Sequence, residues 1–472
     1  MASIVKWIIT IVITLLFQLL SAQDITGAWN GVLSVQGTEL PVILTVQEKE
    51  DSYSATLKSP KQSDQEIPAD KTVFTNGKLM IEINALAVKY EGSIEEGRIK
   101  GTFTQAGNSL PLDLSKDAIS ITSQVSKKRL QDPIAPFSYD VEEVVFKNKK
   151  ANGIKLSGTL TLPKNVKNPT VVILISGSGP QNRNEEILGT DHKPFLVLSD
   201  FLTKKGIAVL RYDERGVAKS EGKFKGATSL DFASDVEAAI DFLKKRKDID
   251  TRKIGLIGHS EGGFIAPIVA SENNDVAFIV LLAGTGVDGG QVLLTQVKKG
   301  AELANTPKNF IEINNNLYES VLSAIYEEDD KDIMLEKSKK NLTTYYNTLD
   351  EGMKAIIPLE KLETGLLELA KDPWFRYFIK TDPLQYLSKV KIPVLAINGS
   401  KDSQVLSELN LTGIKNGLIK AGNSDYTIKE IEGLNHLFQK AETGAISEYA
   451  VIEETFNPEA MKLVSDWILK RF

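Results

Sequence analysis

Gly258-His259-Ser260-Glu261-Gly262 lies within the run KIGLIGHSEGGFIAPIVA, from Lys253 to Ala270. An apolar, strand-like stretch stops at a glycine. A serine follows, then two more glycines, then an apolar run with helical spacing. A side chain on so sharp a strand-to-helix turn is held forward, clear of the sheet, and bulk beside it would collide with the neighbouring strand and helix. The helix that begins there places free backbone N–H groups beside the hydroxyl. A Ser/Gly-rich turn without chemistry would also fit the pentapeptide, so the choice rests on whether the chain supplies partners for a nucleophile.

A serine hydroxyl needs a base to attack at neutral pH. The chain has 3 histidines: His192, His259 and His436. His259 adjoins the serine and would point elsewhere, as a packed structural residue. His192 is expected in the helix after the first buried strand, structural or near a cleft rim. Only His436, in GLNHLFQ, falls in a loop after the last strand, where a base belongs. An acid between serine and base in chain order would orient the imidazole. INGSKDSQV (Ile397–Val405) ends a buried strand with Asp402 at its tip, a position that also suits a helix N-cap. In that arrangement His436 takes the Ser260 proton, and Asp402 fixes the imidazole tautomer and stabilises the imidazolium. A tetrahedral oxyanion needs two donors. One is the backbone N–H of Glu261; the other is expected in GSGPQNRNE (Gly177–Glu185), at Ser178. The Gly-Ser-Gly there lacks the phosphate-loop pattern. With no H-E-x-x-H and no Cys/His cluster, neither metal nor cofactor is expected.

The elements that must position these residues are legible as two styles of chain. Residues 23–118 read as all-β: Leu40, Val42, Leu44 and Val46 alternate with other residues, as do Leu79, Ile81 and Ile83. TNGK and QAGNS supply turns, so a small antiparallel barrel or a sandwich is expected, and the opening GAWNG resembles the Gly-x-Trp start of lipocalin-like barrels. Trp29, in GAWNG, is read as closing one barrel end rather than as a ligand-cup residue. Residues 119–137 read as a linker. From 138 to 472, continuous apolar runs such as TVVILIS, IAVLRYD and AFIVLLAG alternate with helical patterns, among them Leu230, Ala233, Val236, Ile240 and Leu243 on one face. This is an α/β chain around a parallel sheet. Residues 287–388 interrupt it with helical sequence only, too long for a loop, and read as a helical cap over the carboxyl edge.

The chain has 472 residues, 42% hydrophobic and 25% charged, with a net charge of −6 and no cysteine. Two or three domains are expected. The acidic balance argues against nucleic acid, whose backbone needs a basic face. Disulfides are excluded. Met1–Lys6, the apolar run Trp7–Leu20 and Ser21-Ala22-Gln23 read as a signal peptide over 1–22, cut after Ala22. A periplasmic or secreted protein is therefore expected, with no stable membrane span after its removal. Oligomeric state is left open.

The pieces SGSGPQNRNE, HKPFLVLSDFLTKKGIAVLRYDERGVAKS, GHSEGG, DPWFRYFIKTDP, LAINGSKDSQV and GLNHLFQ together resemble the α/β-hydrolase superfamily, and within it the EstD-type carboxylesterases, near the serine aminopeptidases (S33-like) and prolyl-oligopeptidase-like hydrolases. They span about residues 140–472. The resemblance implies an α/β-hydrolase fold and hydrolysis of small carboxylic esters with short or medium acyl chains, without a cofactor. One departure is Ala218, where such families usually carry glycine; a loop beside the cleft is the part it affects. Asp213 and Arg215 read as a structural, salt-bridged turn. Two other readings compete: an exported aminopeptidase, which needs an acidic pair for the substrate amine, and a non-catalytic binding protein on a hydrolase scaffold.

Overall fold

The computed structural model describes residues 25–117 and 129–472, except 36–37, 50–51, 61–65, 87, 96, 106–107 and 188–190. The expected signal peptide and residues 119–128 of the expected linker lie outside the described residues. The chain divides into two compact units, one of the described residues up to 117 and one of those from 129 onward.

The first unit is an antiparallel sheet of β1 (Gly27–Val35), β2 (Thr38–Lys49), β3 (Ser52–Lys58), β4 (Ile67–Pro68), β5 (Lys71–Thr75), β6 (Lys78–Ile83), β7 (Val88–Glu95), β8 (Arg98–Gln105), β9 (Asn108–Pro111) and β10 (Leu114–Ser115). The order is β4-β3-β2-β1-β10-β8-β7-β6-β5, with β9 on β8. The sheet curls on itself: Tyr53 of β3 meets Phe74 of β5 edge-to-face, with ring centroids 5.9 Å apart. Period-two alternation sends Val42, Leu44, Val46, Leu79, Ile81 and Ile83 into one core. Trp29 belongs to that core and donates its indole N–H to the Ile25 carbonyl at 2.7 Å.

The second unit opens with β11 (Tyr139–Asn148) and β12 (Ile154–Pro163), then alternates β13 (Val171–Ile175), α1 (Pro194–Lys204), β14 (Ala208–Tyr212), α2 (Ser229–Leu243), β15 (Ile254–His259), α3 (Glu261–Ala270) and β16 (Val276–Leu282). Between β16 and the next strand every described element is helical: α4 (Gly289–Leu303), α5 (Lys308–Glu327), α6 (Lys331–Asn347), α7 (Glu351–Ile356), α8 (Leu359–Lys371), α9 (Pro373–Lys380) and α10 (Leu384–Leu387). β17 (Val394–Gly399), α11 (Ser407–Lys420), β18 (Tyr426–Ile431) and α12 (Pro458–Leu469) complete the chain. The sheet order is β11-β12-β14-β13-β15-β16-β17-β18. β12 runs antiparallel to both its neighbours, and β14 through β18 are parallel. That eight-stranded order with an inverted second strand is the α/β-hydrolase topology. β13 through β17 are buried almost throughout, which is why they read as unbroken apolar runs.

Four expectations need correction. Leu230 is 47% exposed, whereas Ala233, Val236, Ile240 and Leu243 are buried with Phe232 and Ala239. At 100° per residue Leu230 sits at the margin of that stripe, in the first helical turn. His192 precedes α1 rather than lying in it, because Pro194 opens the helix. Asp213 and Arg215 do not pair with each other. Asp213 accepts from Arg183 at 2.7 Å, and Arg215 binds Asp235 of α2 at 2.7 Å. Residues 129–137 join the second unit: Arg129 donates to the Ile452 carbonyl at 2.6 Å and Gln131 to that of Phe456 at 2.7 Å.

Ala218 adopts φ +47°, a left-handed backbone that costs a residue with a Cβ about 1–2 kcal/mol. This is the physical reason glycine suits the position. Ala218→Gly should therefore stabilise the second unit by about 0.5–1 kcal/mol, after the extra unfolded-chain entropy of glycine is subtracted. Thermal unfolding checks this, and a lowered midpoint contradicts it.

Candidate active site

Ser260 stands between β15 and α3 with φ +53° and ψ −115°, a backbone conformation rare for a residue with a side chain. Packing imposes it. A Cβ on Gly258 would lie 1.9 Å from the Gly262 carbonyl oxygen, and one on Gly262 would lie 2.1 Å from that of Ile175 in β13. The turn thus closes only with glycine at both places. The Ser260 N–H donates to the Leu282 carbonyl of β16 at 2.9 Å, fixing the turn from the other side. Ser260 remains partly exposed.

Asp402 follows β17, and His436 follows β18. His436 Nδ1–H donates to Asp402 Oδ2 at 2.8 Å. Asp402 Oδ1 accepts from the N–H groups of Gln404 and Val405 at 2.8 and 2.9 Å, so the whole carboxylate is held. That bond fixes the Nδ1–H tautomer and leaves Nε2 as the acceptor. The His436 loop is stiffened by Asn435, whose Oδ1 accepts from the N–H groups of Leu437 and Gln439 at 3.0 and 2.9 Å. A Cβ on Gly399 would lie 2.1 Å from the Leu434 carbonyl oxygen, so the loops carrying Asp402 and His436 pack backbone to backbone.

The loop after β13 lies against the serine: a Cβ on Gly177 would be 3.1 Å from that of Ser260. Buried carboxyls pin this loop. Gly177 N–H donates to Glu185 Oε1 at 2.7 Å, and Ser176 Oγ and Gln181 N–H donate to Glu214 at 2.8 and 3.0 Å. Burial, with Glu261 and Glu185 nearby, pushes the Glu214 carboxyl well above the usual range, against the pull of those two bonds. Among the described residues no acceptor takes the Ser178 N–H. The Glu261 N–H is among the first of α3 and has no partner within the helix. His259 is buried, with Nδ1 2.8 Å from Glu185 Oε1 and Nε2 2.9 Å from the His436 carbonyl oxygen. The main chain of the His436 loop is thereby fastened to the residue beside Ser260. His192 is fully buried, its Nε2 3.0 Å from the Thr455 carbonyl; burial and the Arg129 charge push it down to about 3. It is a structural histidine.

A cavity of about 220 Å³ opens on Ser260, Glu261 and Ser178 and is lined chiefly by Val292, Tyr318, Trp374, Phe375 and Phe378 of the helical insertion. A more open groove of about 720 Å³ touches Asp402 between α4 and α11 but does not include Ser260. The smaller cavity is the one that can hold a bond at the serine. Glu261 Oε1 accepts from Ser229 Oγ at 2.6 Å and from Trp374 Nε1 at 2.7 Å. The tryptophan of α9 is thus tethered to the residue after Ser260, and its ring stacks on Phe378 at 5.4 Å. Burial raises the Glu261 carboxyl, while the two bonds pull it back.

All five residues singled out by sequence reasoning lie at the carboxyl edge of the sheet, with Ser178, Ser260 and Glu261 on one cavity and Asp402 bonded to His436. Sequence reasoning missed Glu185, Glu214 and Trp374 as supports. For Glu185 the signal was the polar run QNRNE in the loop after β13. Trp374→Phe removes the indole N–H but keeps an aromatic wall. A bond to a buried carboxyl contributes about 1.5–3 kcal/mol. The variant should lose at least about tenfold in kcat/KM toward esters with apolar acyl chains. Unchanged kinetics would mean the tether does not hold the wall.

The model of the X-Pro dipeptidyl-peptidase (S15 family) matches residues 152–411. Esterase EstD of Thermotoga maritima is 23% identical over 427 residues, 90% of this chain and 81% of that protein. An uncharacterised 31.7 kDa protein of the traX-finO intergenic region of Escherichia coli is 23% identical over 263 residues, 54% of this chain and 80% of its own. The structure of Pyrococcus furiosus esterase Pf2001 superposes with a TM-score of 0.41 at 18% identity, over 71% of this chain and 91% of that one. The matched family is S15, a different one from the serine aminopeptidases of the sequence resemblance. With more than half of its length matched, the chain belongs to the X-Pro dipeptidyl-peptidase (S15) family.

Proposed function

We propose that this chain hydrolyses carboxylic esters of short or medium acyl length through an acyl-enzyme on Ser260. The observation that carries the reading is the His436–Asp402 hydrogen bond of 2.8 Å, on a loop anchored beside Ser260. In the first step Ser260 Oγ attacks the acyl carbonyl carbon, and its proton passes to His436 Nε2. Asp402, held by three hydrogen bonds, stabilises the imidazolium. The oxyanion points to the N–H groups of Glu261 and Ser178. His436 then protonates the departing alkoxide. In the second step it takes a proton from water, which attacks the acyl carbon; the C–Oγ bond breaks, the acid leaves and His436 returns the proton to Ser260 Oγ.

The family name raises the peptidase reading, and the cavity weighs against it. A peptide amine needs carboxylates free to receive it. Among the described residues Glu261 is the only acidic one lining the cavity that holds Ser260, and its Oε1 already accepts two bonds. The remaining wall is mainly apolar and fits an acyl chain. The leading segment Met1–Ala22 supports export, and we place the reaction outside the cytoplasm. The amino terminus of the exported protein should be Gln23, as terminal sequencing would reveal.

Ser260→Ala should abolish covalent labelling by a fluorophosphonate and all ester turnover, with unchanged circular dichroism. His436→Ala should lower kcat by several orders of magnitude, and its loss should not add to that of Ser260→Ala. Asp402→Asn should cost less than either. p-Nitrophenyl esters of increasing acyl length should outpace aminoacyl-naphthylamides. Labelling that persists in Ser260→Ala removes the nucleophile from the account, and a preference for the amides favours the peptidase.

A further inference from the structure

We propose that His259 is a positioning residue held as an imidazolium, whose two N–H groups lock the oxyanion loop to the base loop across the nucleophile. The claim rests on the reading of Ser260 and His436 as nucleophile and base.

The hydrogen-bond accounting carries it. His259 Nδ1 faces Glu185 Oε1 at 2.8 Å, and Nε2 faces the His436 carbonyl oxygen at 2.9 Å. A carbonyl oxygen only accepts. Glu185 Oε1 also receives the Gly177 N–H at 2.7 Å, and as an ionised carboxylate oxygen it too only accepts. A neutral imidazole has one N–H and would leave one of these contacts lone pair to lone pair in a buried site. Against an ionised Glu185, only the doubly protonated ring satisfies both.

The surroundings agree. Burial works against the charge on His259, but the Glu185 carboxylate, its hydrogen bond, the His436 carbonyl and Asp402 outweigh it and raise the ring above its usual 6.5. The other titratable groups facing this cluster are His192, kept neutral by burial, Glu214 beside Glu185, and the His436 ring, 4.8 Å from that of His259. Phe438 covers the ring edge, with centroids 6.4 Å apart.

The chain of bonds runs from Gly177 N–H to Glu185, to His259, to the His436 carbonyl. Each end is backbone one residue from, or belonging to, a functional group: Gly177 precedes Ser178, His259 precedes Ser260, and His436 carries the base. His259 therefore touches no substrate and acts by fixing where donors, nucleophile and base stand. A histidine with a raised value contributes fully below its unfolded value near 6.5, and the contribution is lost as pH rises through the folded value. The lock should open on the alkaline side.

With only 3 histidines, the rings can be followed by nitrogen-15 NMR of histidine-labelled protein. His192→Asn and His436→Asn serve solely to assign the signals. In the unmodified protein the His259 ring should carry both protons at neutral pH, and a singly protonated ring there overturns the proposal. Glu185→Gln keeps the shape and removes the charge. It should lower kcat with KM little changed, and move the alkaline limb of the kcat profile at least about one unit toward acid. A limb that stays in place in a folded Glu185→Gln protein also overturns it. The NMR reading involves no turnover, so its failure leaves the Ser260 assignment standing, and loss of that assignment leaves the ring's protonation to be read.

Discussion

The second unit is organised around one steric constraint: three backbones converge at Ser260 with no room for a side chain on either flank. Gly258 presses on Gly262, and Gly262 presses on β13, so the chain can pass from strand to helix only with Ser260 at φ +53°. An unfavourable backbone of this kind persists because the sheet and α3 are buried on all sides and cannot relax around it. Its result is a hydroxyl held clear of the sheet, beside the first free N–H groups of a helix. The parallel strands then decide what else reaches that point, because β13, β17 and β18 all end at the same edge.

Around this turn the protein spends polar groups in a way ordinary cores do not. Glu185, Glu214, Glu261, His192 and His259 are all buried. Each has at least one hydrogen-bond partner, and for Glu185, Glu214, His192 and His259 one partner is a backbone group of a loop at this edge of the sheet. Burying such groups is costly unless they are paired, so their presence marks loops whose position matters more than the stability an apolar filling would add. The helical insertion joins this scheme through Trp374, which donates to Glu261, and Gln296, which donates to Gln404, and it offers a mostly apolar wall.

Much of this was legible before any coordinates. Strands buried on both faces are continuous apolar runs, and β13 to β17 were read within a few residues for that reason. Ser260 stood out by its glycines, and His436 and Asp402 by the scarcity of histidines and the chain order. What failed to show was long-range pairing of charged residues. Asp213 and Arg215 are neighbours in sequence, yet each turns to a partner 20 or more residues away, Arg215 to Asp235 and Asp213 to Arg183. No spacing rule encodes a contact between Glu185 and His259, 74 residues apart. Leu230 misled because a stripe on a helix predicts the direction of a side chain but not how far the packed surface extends.

The most direct measurement is a crystal structure of the protein after reaction with an alkyl phosphonate ester, whose tetrahedral phosphorus mimics the acyl transition state. The account predicts phosphorus bonded to Ser260 Oγ, its oxygen about 3 Å from the N–H groups of both Glu261 and Ser178, His436 Nε2 facing Oγ, and the alkyl chain against Trp374 and Phe378. An adduct on another residue, or one at Ser260 with His436 turned away and the oxygen facing solvent, would contradict it.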